Sequence, residues 1–176
     1  MMRLFIIFIL SSGCYPLIAQ ENCAPFSESA TRLFYIQRTG NSDTIVYDAN
    51  TANNGQFQKN NPVIIYWKRS DKNGQKEGLN YLQRTRAYGI KHHPSGHANE
   101  YLFHLIAYPQ RNFLLKNDDC GHPAVLLTLA GKEAYVKRIF IALEPTRFGL
   151  IPTIYYIEIF GVDVQTGEAA YEKLKP

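Results

Sequence analysis

The stretch Leu33-Phe-Tyr-Ile-Gln-Arg-Thr-Gly-Asn-Ser-Asp-Thr-Ile-Val-Tyr47 holds two runs of strand-forming residues on either side of a turn. The runs Leu33–Ile36 and Thr44–Tyr47 consist of apolar, aromatic and β-branched residues, which favour strands. The segment Gly40–Asp43 between them consists of residues that tolerate the backbone angles of turns. This pattern predicts a β-hairpin near the start of the folded domain.

Similar short apolar segments follow at regular intervals along the chain. They are Val63–Trp67, Tyr101–Tyr108, Phe113–Leu115, Val125–Leu129, Tyr135–Leu143 and Ile154–Val164. The helices that parallel βαβ units require are missing between these segments. We therefore predict a single all-β, mainly antiparallel domain over residues 20–176, and the alternation is compatible with either a β-sandwich or a closed barrel.

One segment departs from strand periodicity. Apolar residues recur at helical spacing from Leu79 to Tyr88, which predicts one short inserted helix with an apolar face. Arg84 and Arg86 lie in its last turn, where cations are favourable, and Gly89 follows as the expected C-cap.

The N-terminus has the layout of a secretory signal peptide. Arg3 precedes the apolar run Leu4–Leu10, and the small residue Ala19 lies just before a polar stretch. We predict a signal peptide over residues 1–19 and a secreted or periplasmic protein. The apolar run is shorter than the about 20 residues that a transmembrane helix needs. Ser11–Cys14 also resembles a lipobox, so a lipid anchor at Cys14 is the alternative.

Removal of the signal peptide leaves two cysteines, Cys23 and Cys120. An even number of cysteines in an oxidising compartment predicts a disulfide between them, and the alternative is two separate buried thiols. The net charge of +4 is spread along the chain, and no run of Lys or Arg exceeds two residues. Nucleic-acid binding, which needs a concentrated basic patch, is therefore not expected.

Several segments are similar to one bacterial family. They are L-F-Y-I-Q-R from Leu33, D-T-I-V-Y-D-A-N from Asp43, P-V-I-I-Y-W from Pro62, Y-L-Q-R-T-R-A-Y-G-I from Tyr81, Y-Y-I-E-I-F-G-V-D-V-Q-T-G-E from Tyr155 and the closing Y-E-K-L-K-P. In order and character they resemble the domain of unknown function 4833, whose members are typically exported proteins of the Bacteroidetes group. The resemblance implies an exported single domain of unassigned activity, and it carries no functional residues.

Histidines are concentrated in the segment His92-His93-Pro94-Ser95-Gly96-His97. Neutral imidazoles are ligands for divalent metals, so His92, His93 and His97 form a candidate metal site. Their spacing matches no established zinc motif, and no cofactor is predicted. A small hydrolase or metal-dependent enzyme that uses this segment is the alternative function. Glu158, in a long apolar strand, is expected to pair with Arg or Lys on a neighbouring strand or to face solvent.

A second candidate site combines cations with aromatic rings. Arg84, Arg86 and Lys91 lie close in sequence to Tyr88, and Trp67 lies on the preceding strand. Such residues together suit an anionic ligand, a sugar or a protein partner. Because no catalytic motif accompanies them, we predict a non-catalytic binding or accessory module of the cell envelope. Its partner would be a small molecule, a glycan or an envelope protein.

Overall fold

The computed structural model describes residues 29–144 and 153–175. Within these residues the chain forms eleven strands and one helix, α1 (Tyr81–Arg86). The strands are β1 (Arg32–Arg38), β2 (Asn41–Ala49), β3 (Val63–Arg69), β4 (Gln75–Gly78), β5 (Ile90–Pro94), β6 (Tyr101–Leu105), β7 (Tyr108–Asn117), β8 (Pro123–Leu129), β9 (Lys132–Leu143), β10 (Ile154–Asp163) and β11 (Ala169–Leu174). The predicted all-β class with one short helix is therefore confirmed.

All the strands belong to one sheet that is curled into a half-barrel. The order along the sheet is β4-β3-β2-β1-β9-β8-β7-β6-β5, with β10 paired to β9 and β11 paired to β10. The pairing of β1 with β9 is parallel, and the other strand pairings in the described part of the chain are antiparallel. The sheet is mixed. As a single half-barrel, it is neither a two-sheet β-sandwich nor a fully closed barrel, the two forms with which the alternation is compatible.

Strand β9 is the point at which the sheet branches. Its first residues, Lys132–Tyr135, pair with β8, whereas Arg138–Ile141 pair with β1. From Ala134 to Leu143, β9 also pairs with β10. Because one edge of a single twelve-residue strand serves two neighbours in turn, the β1–β4 and β5–β8 halves diverge from it and curve toward each other.

The core lies on the concave side of this curved sheet. Phe34 of β1 stacks on Tyr47 of β2, with ring centroids 4.4 Å apart, and on Phe113 of β7 at 5.9 Å. Phe103 of β6 stacks on Phe113 at 5.2 Å. These rings join strands from both halves of the sheet, so the aromatic stack holds the half-barrel in its curled form.

The helix is shorter than its spacing predicts. It begins after Asn80, whose side-chain oxygen accepts a hydrogen bond from the backbone N–H of Gln83 at 2.9 Å. The Gln83 side-chain oxygen in turn accepts from the backbone N–H of Asn80 at 3.0 Å. The C-cap is Ala87, not Gly89. The predicted apolar face is wrong, because none of the helical residues is buried and Tyr81 is 79% exposed. Within the described residues, no helix is long and apolar enough to cross a bilayer.

Candidate functional site

A cleft of about 480 Å³ opens between the two ends of the curled sheet. This volume lies within the range of small-molecule sites in proteins, about 300–1,000 Å³. Residues of β3, α1 and β5, together with the segments that flank them, form its walls. The lining residues are Asn61, Val63, Ile64, Ile65, Leu79, Arg84, Thr85, Gly89, Ile90, Lys91 and Ile106.

The cleft exists because the sheet does not close at this point. Strand β4 pairs with β3 only from Tyr66 to Arg69, so Val63–Ile65 extends beyond the end of β4. At the other end of the sheet, Ile90 and Lys91 belong to β5, the last strand of the path. Both segments line the cleft, which is therefore the gap between two sheet edges.

The cleft combines aliphatic walls with positive charge. Arg84 and Lys91 are exposed, and neither forms an ion pair with another residue in the described part of the chain. No carboxylate is among the lining residues. The aliphatic lining residues are Val63, Leu79 and four isoleucines, namely Ile64, Ile65, Ile90 and Ile106. The arrangement suits an anion that carries an apolar body.

The other three residues of the predicted cationic and aromatic site lie outside the cleft lining. Trp67 is 2% exposed and packs edge-on against Tyr88, with ring centroids 5.6 Å apart. The Trp67 indole N–H donates to the side-chain oxygen of Gln83 at 3.2 Å. Arg86 is exposed on α1. The structure thus brings Arg84 and Lys91 together at the cleft and uses Trp67 and Tyr88 to anchor the helix.

A buried hydroxyl group joins the two halves of the sheet next to this anchor. The Tyr47 hydroxyl of β2 donates to the backbone carbonyl of Tyr88 at 2.7 Å, just before β5. Burial raises the pKa of Tyr47 well above its usual value, and burial also raises the pKa of Tyr88, against the opposing charge of Arg38. The Arg38 guanidinium lies 5.3 Å from the Trp67 ring centroid. Both tyrosines are therefore neutral at physiological pH and act as packing and hydrogen-bonding groups.

The histidine segment is arranged differently from a metal site. His92 and His93 are successive residues of β5, so their side chains point to opposite faces of the strand. The His92 Nε2 atom lies 3.2 Å from the carbonyl oxygen of Lys59, and His97 is exposed in the following loop. Among residues 29–144 and 153–175, no three metal-ligating side chains form a group. The structure does not bring His92, His93 and His97 together.

The sequence match to a known family covers nearly all of the curled sheet. The family model described as Domain of unknown function (DUF4833) matches residues 34–173. The chain belongs to the DUF4833 family. The resemblance inferred from the sequence is thereby confirmed. No curated protein and no solved structure matches the chain.

The DUF4833 match includes Glu158, whose expected pairing is confirmed. Its Oε1 atom accepts from the Tyr171 hydroxyl at 2.8 Å and lies 3.4 Å from the Lys173 Nζ atom. Both partners belong to β11, next to β10. The hydrogen bond to the Glu158 carboxylate raises the pKa of Tyr171. This carboxylate is therefore engaged in strand-to-strand contacts on the outer face of the sheet.

The aliphatic half of the cleft of this DUF4833 domain was not predicted from the sequence. Ile64 is 44% exposed although it lies in a dense apolar run, and Ile106 follows the end of β6. The available signal was the run Val63–Ile65, which is apolar on both strand faces and so has no solvent-facing polar residue. Ile106 carried no such signal, because its position follows from how the β6–β7 turn packs against Gly89.

Proposed function

We propose that this DUF4833 protein is a non-catalytic binding module of the cell envelope, and that its ligand occupies the cleft at Arg84 and Lys91. The observation that carries the proposal is the pair of cations, without acidic partners in the described residues, beside an aliphatic wall. Free cations at the edge of an apolar cleft favour a carboxylate or phosphate attached to an apolar body. The residues that line the cleft include no His, Cys, Ser, Asp or Glu.

The two cations are expected to contribute more to selectivity than to total affinity. A hydrogen bond to a charged group contributes about 1.5–3 kcal/mol, but exposed cations are screened by salt. Contact with the isoleucines contributes about 25 cal/mol per Å² of apolar area removed from water. An anion without an apolar body, such as inorganic phosphate, should therefore bind weakly, and a neutral apolar molecule should bind without preference for this cleft.

Reversing the charge of the cleft should abolish the preference for anions. In Arg84→Glu and Lys91→Glu we expect the Kd of acidic aliphatic probes to rise at least about tenfold, which corresponds to about 1.4 kcal/mol. Thermal-shift screening would use n-alkyl carboxylates, acidic peptides and glycans, and calorimetry would then measure Kd. Arg86→Glu is the matched control, because Arg86 is exposed on the same helix but does not line the cleft. Equal losses in all three variants, or no binding of any anion by the native chain, would refute the site.

We also propose export and a Cys23–Cys120 disulfide. Cys23 and the predicted signal peptide lie outside the described residues. Cys120 lies in a loop that Asp118 orders, since Asp118 Oδ1 accepts from the backbone N–H of Cys120 at 3.0 Å and of His122 at 2.7 Å. A bridge that closes a loop of about 100 residues adds up to about 4.7 kcal/mol in the chain-entropy model.

The mature N-terminus provides the test of export. Mass spectrometry of protein from the native host should show a chain that starts at Gln20 or Glu21. Without reduction, it should show no cysteine that reacts with an alkylating agent. Recovery of a chain that begins with acylated Cys14 would replace this proposal with lipid anchoring. Recovery of the intact leader with two alkylatable thiols would contradict both export and the disulfide.

A further inference from the structure

We infer that the cleft binds an extended acidic peptide segment of a partner protein, which adds as a strand between β3 and β5. This inference rests on the proposed function, because it names the ligand class of the same cleft. It is based on the backbone N–H and C=O groups of the cleft walls, with which a small anion would form no strand pairing. A strand in this position would continue the sheet across the gap that keeps the half-barrel open.

The first wall is an uncovered strand edge. Strand β3 pairs with β2 from Val63 to Lys68, but β4 covers its other edge only from Tyr66 onward. In a β-ladder, every second residue turns its N–H and C=O groups toward the same neighbour. Part of the backbone of Val63–Ile65 therefore faces the cleft, with no strand beside it in the described part of the chain. Unpaired strand edges are templates for another strand.

The second wall is also a strand edge. Strand β5 pairs with β6 from Ile90 opposite Leu105 to Pro94 opposite Tyr101. In the part of the chain that the structure describes, no strand pairs with the other edge of β5. An inserted peptide would therefore meet backbone donors and acceptors on both sides. A linear alkyl anion could fill the same volume, but it would leave these backbone groups without protein partners.

The side chains of the cleft specify the sequence of the peptide. Ile64 is 44% exposed in the part of β3 that β4 does not cover, and at uncovered strand edges natural proteins usually place charged residues or proline. Its contact partner on the peptide should be aliphatic, as should that of Ile90. Arg84 and Lys91 require a carboxylate, either an Asp or Glu side chain or the C-terminus of the peptide. At about 3.3 Å per residue, the three-residue edge Val63–Ile65 matches a bound segment of about three to five residues.

The test uses the full mature chain and fluorescein-labelled hexapeptides. The peptides alternate Val or Ile with Thr and carry Glu at each position in turn, or end in a free carboxylate. Fluorescence polarisation should identify at least one binder whose Kd rises tenfold or more in Arg84→Glu and in Ile64→Lys. Arg86→Glu should leave its Kd unchanged. Sedimentation of the free chain checks that the cleft is not occupied by a second copy.

Backbone methylation separates strand addition from simple anion binding. The best peptide is resynthesised with N-methyl groups on its central amides, which removes backbone donors but keeps the side chains and the charge. We expect N-methylation to weaken the affinity tenfold or more. A Val-to-Ile change in the peptide is the control for added size, because it adds one methylene and keeps every backbone donor, and it should alter the Kd less than threefold. Equal binding of the N-methylated peptide would overturn strand addition and leave the anion site intact. If decanoate binds and none of the peptides does, strand addition is likewise overturned and the anion site is kept. If neither decanoate nor any peptide binds, the proposed function itself is refuted. Self-association through the cleft would overturn the peptide as its occupant.

Discussion

Gly89→Ala is expected to lower the free energy of unfolding by about 3 kcal/mol or more, with loss of the ordered junction between α1 and β5. A Cβ atom at this position would lie 1.9 Å from the carbonyl oxygen of Arg84 and 2.9 Å from its carbonyl carbon. It would also lie 3.1 Å from the Cδ1 atom of Ile106. The first two atoms belong to the backbone, so the contact is relieved only if the helix end or the start of β5 moves.

The requirement at position 89 is close approach rather than an unusual φ angle. Gly89 is buried, and its carbonyl accepts from the Ile106 N–H at 2.9 Å, which holds the β6–β7 turn against it. The methyl group of alanine would therefore disturb Arg84 and Ile106 together. Since both line the cleft, Gly89→Ala should weaken ligand binding as well as stability.

Urea unfolding of Gly89→Ala and Gly78→Ala measures this effect with a matched control. Gly78 ends β4, and a Cβ atom there would have no neighbour within 4 Å. We expect Gly78→Ala to change stability by less than about 0.5 kcal/mol. In a domain of this size, 1 kcal/mol corresponds to about 2–4 °C in Tm, so Gly89→Ala should melt about 6–12 °C lower. Equal unfolding midpoints for the two variants would contradict the steric argument.

Phe34→Ala is expected to lower the free energy of unfolding by about 3–5 kcal/mol. Phe34 has no exposed surface, and its ring stacks on Tyr47, Phe103 and Phe113. These contacts join β1 and β2 to β6 and β7, across the concave side of the sheet. Truncation would leave a cavity between the two halves, which a curved and branched sheet can fill only by changing its curvature.

The exposed ring of Tyr81 provides the comparison for Phe34. Tyr81 is 79% exposed at the start of α1, so Tyr81→Ala removes an aromatic side chain without opening a cavity. Its effect should stay within about 0.5 kcal/mol. Phe34→Leu, which refills part of the space, should fall between the two. A cost below about 1 kcal/mol for Phe34→Ala would show that the stack does not hold the halves together.

Most of the long strands were predictable, because they consist of apolar, aromatic and β-branched residues that favour strands. Leu33–Ile36, Thr44–Tyr47 and Val63–Trp67 all lie within observed strands. The prediction is wrong at α1, where the spacing from Leu79 to Tyr88 predicts an apolar helix face but no helical residue is buried. Leu79 is buried outside the helix because it follows β4, and the helix itself is specified by the Asn80–Gln83 capping box. Leu79 and Tyr88 contribute to the helical spacing in the sequence, although they lie before and after the helix.

For the cleft, too, part of the site was predictable from residue type and part depended on the three-dimensional structure. Residue type alone predicts a binding role for Arg84 and Lys91, and it predicts the same role for the aromatic rings of Trp67 and Tyr88. Residue type does not distinguish a ring that faces a ligand from one that packs under a helix. Burial decides this point, and burial depends on which strands lie opposite.

Alternation along the chain was sufficient for the all-β class and for most of the long strands, because backbone preference and strand periodicity are properties of neighbouring residues. The family followed from the resemblance of particular segments, such as L-F-Y-I-Q-R from Leu33. The parallel pairing of β1 with β9, the branching at β9 and the open gap between β3 and β5 required the three-dimensional structure. These features join residues about 100 positions apart in β1 and β9, and they depend on how side chains from both halves pack on the concave face. Local preference carries no information about such contacts, so the position and chemistry of the cleft emerge only when the sheet curls.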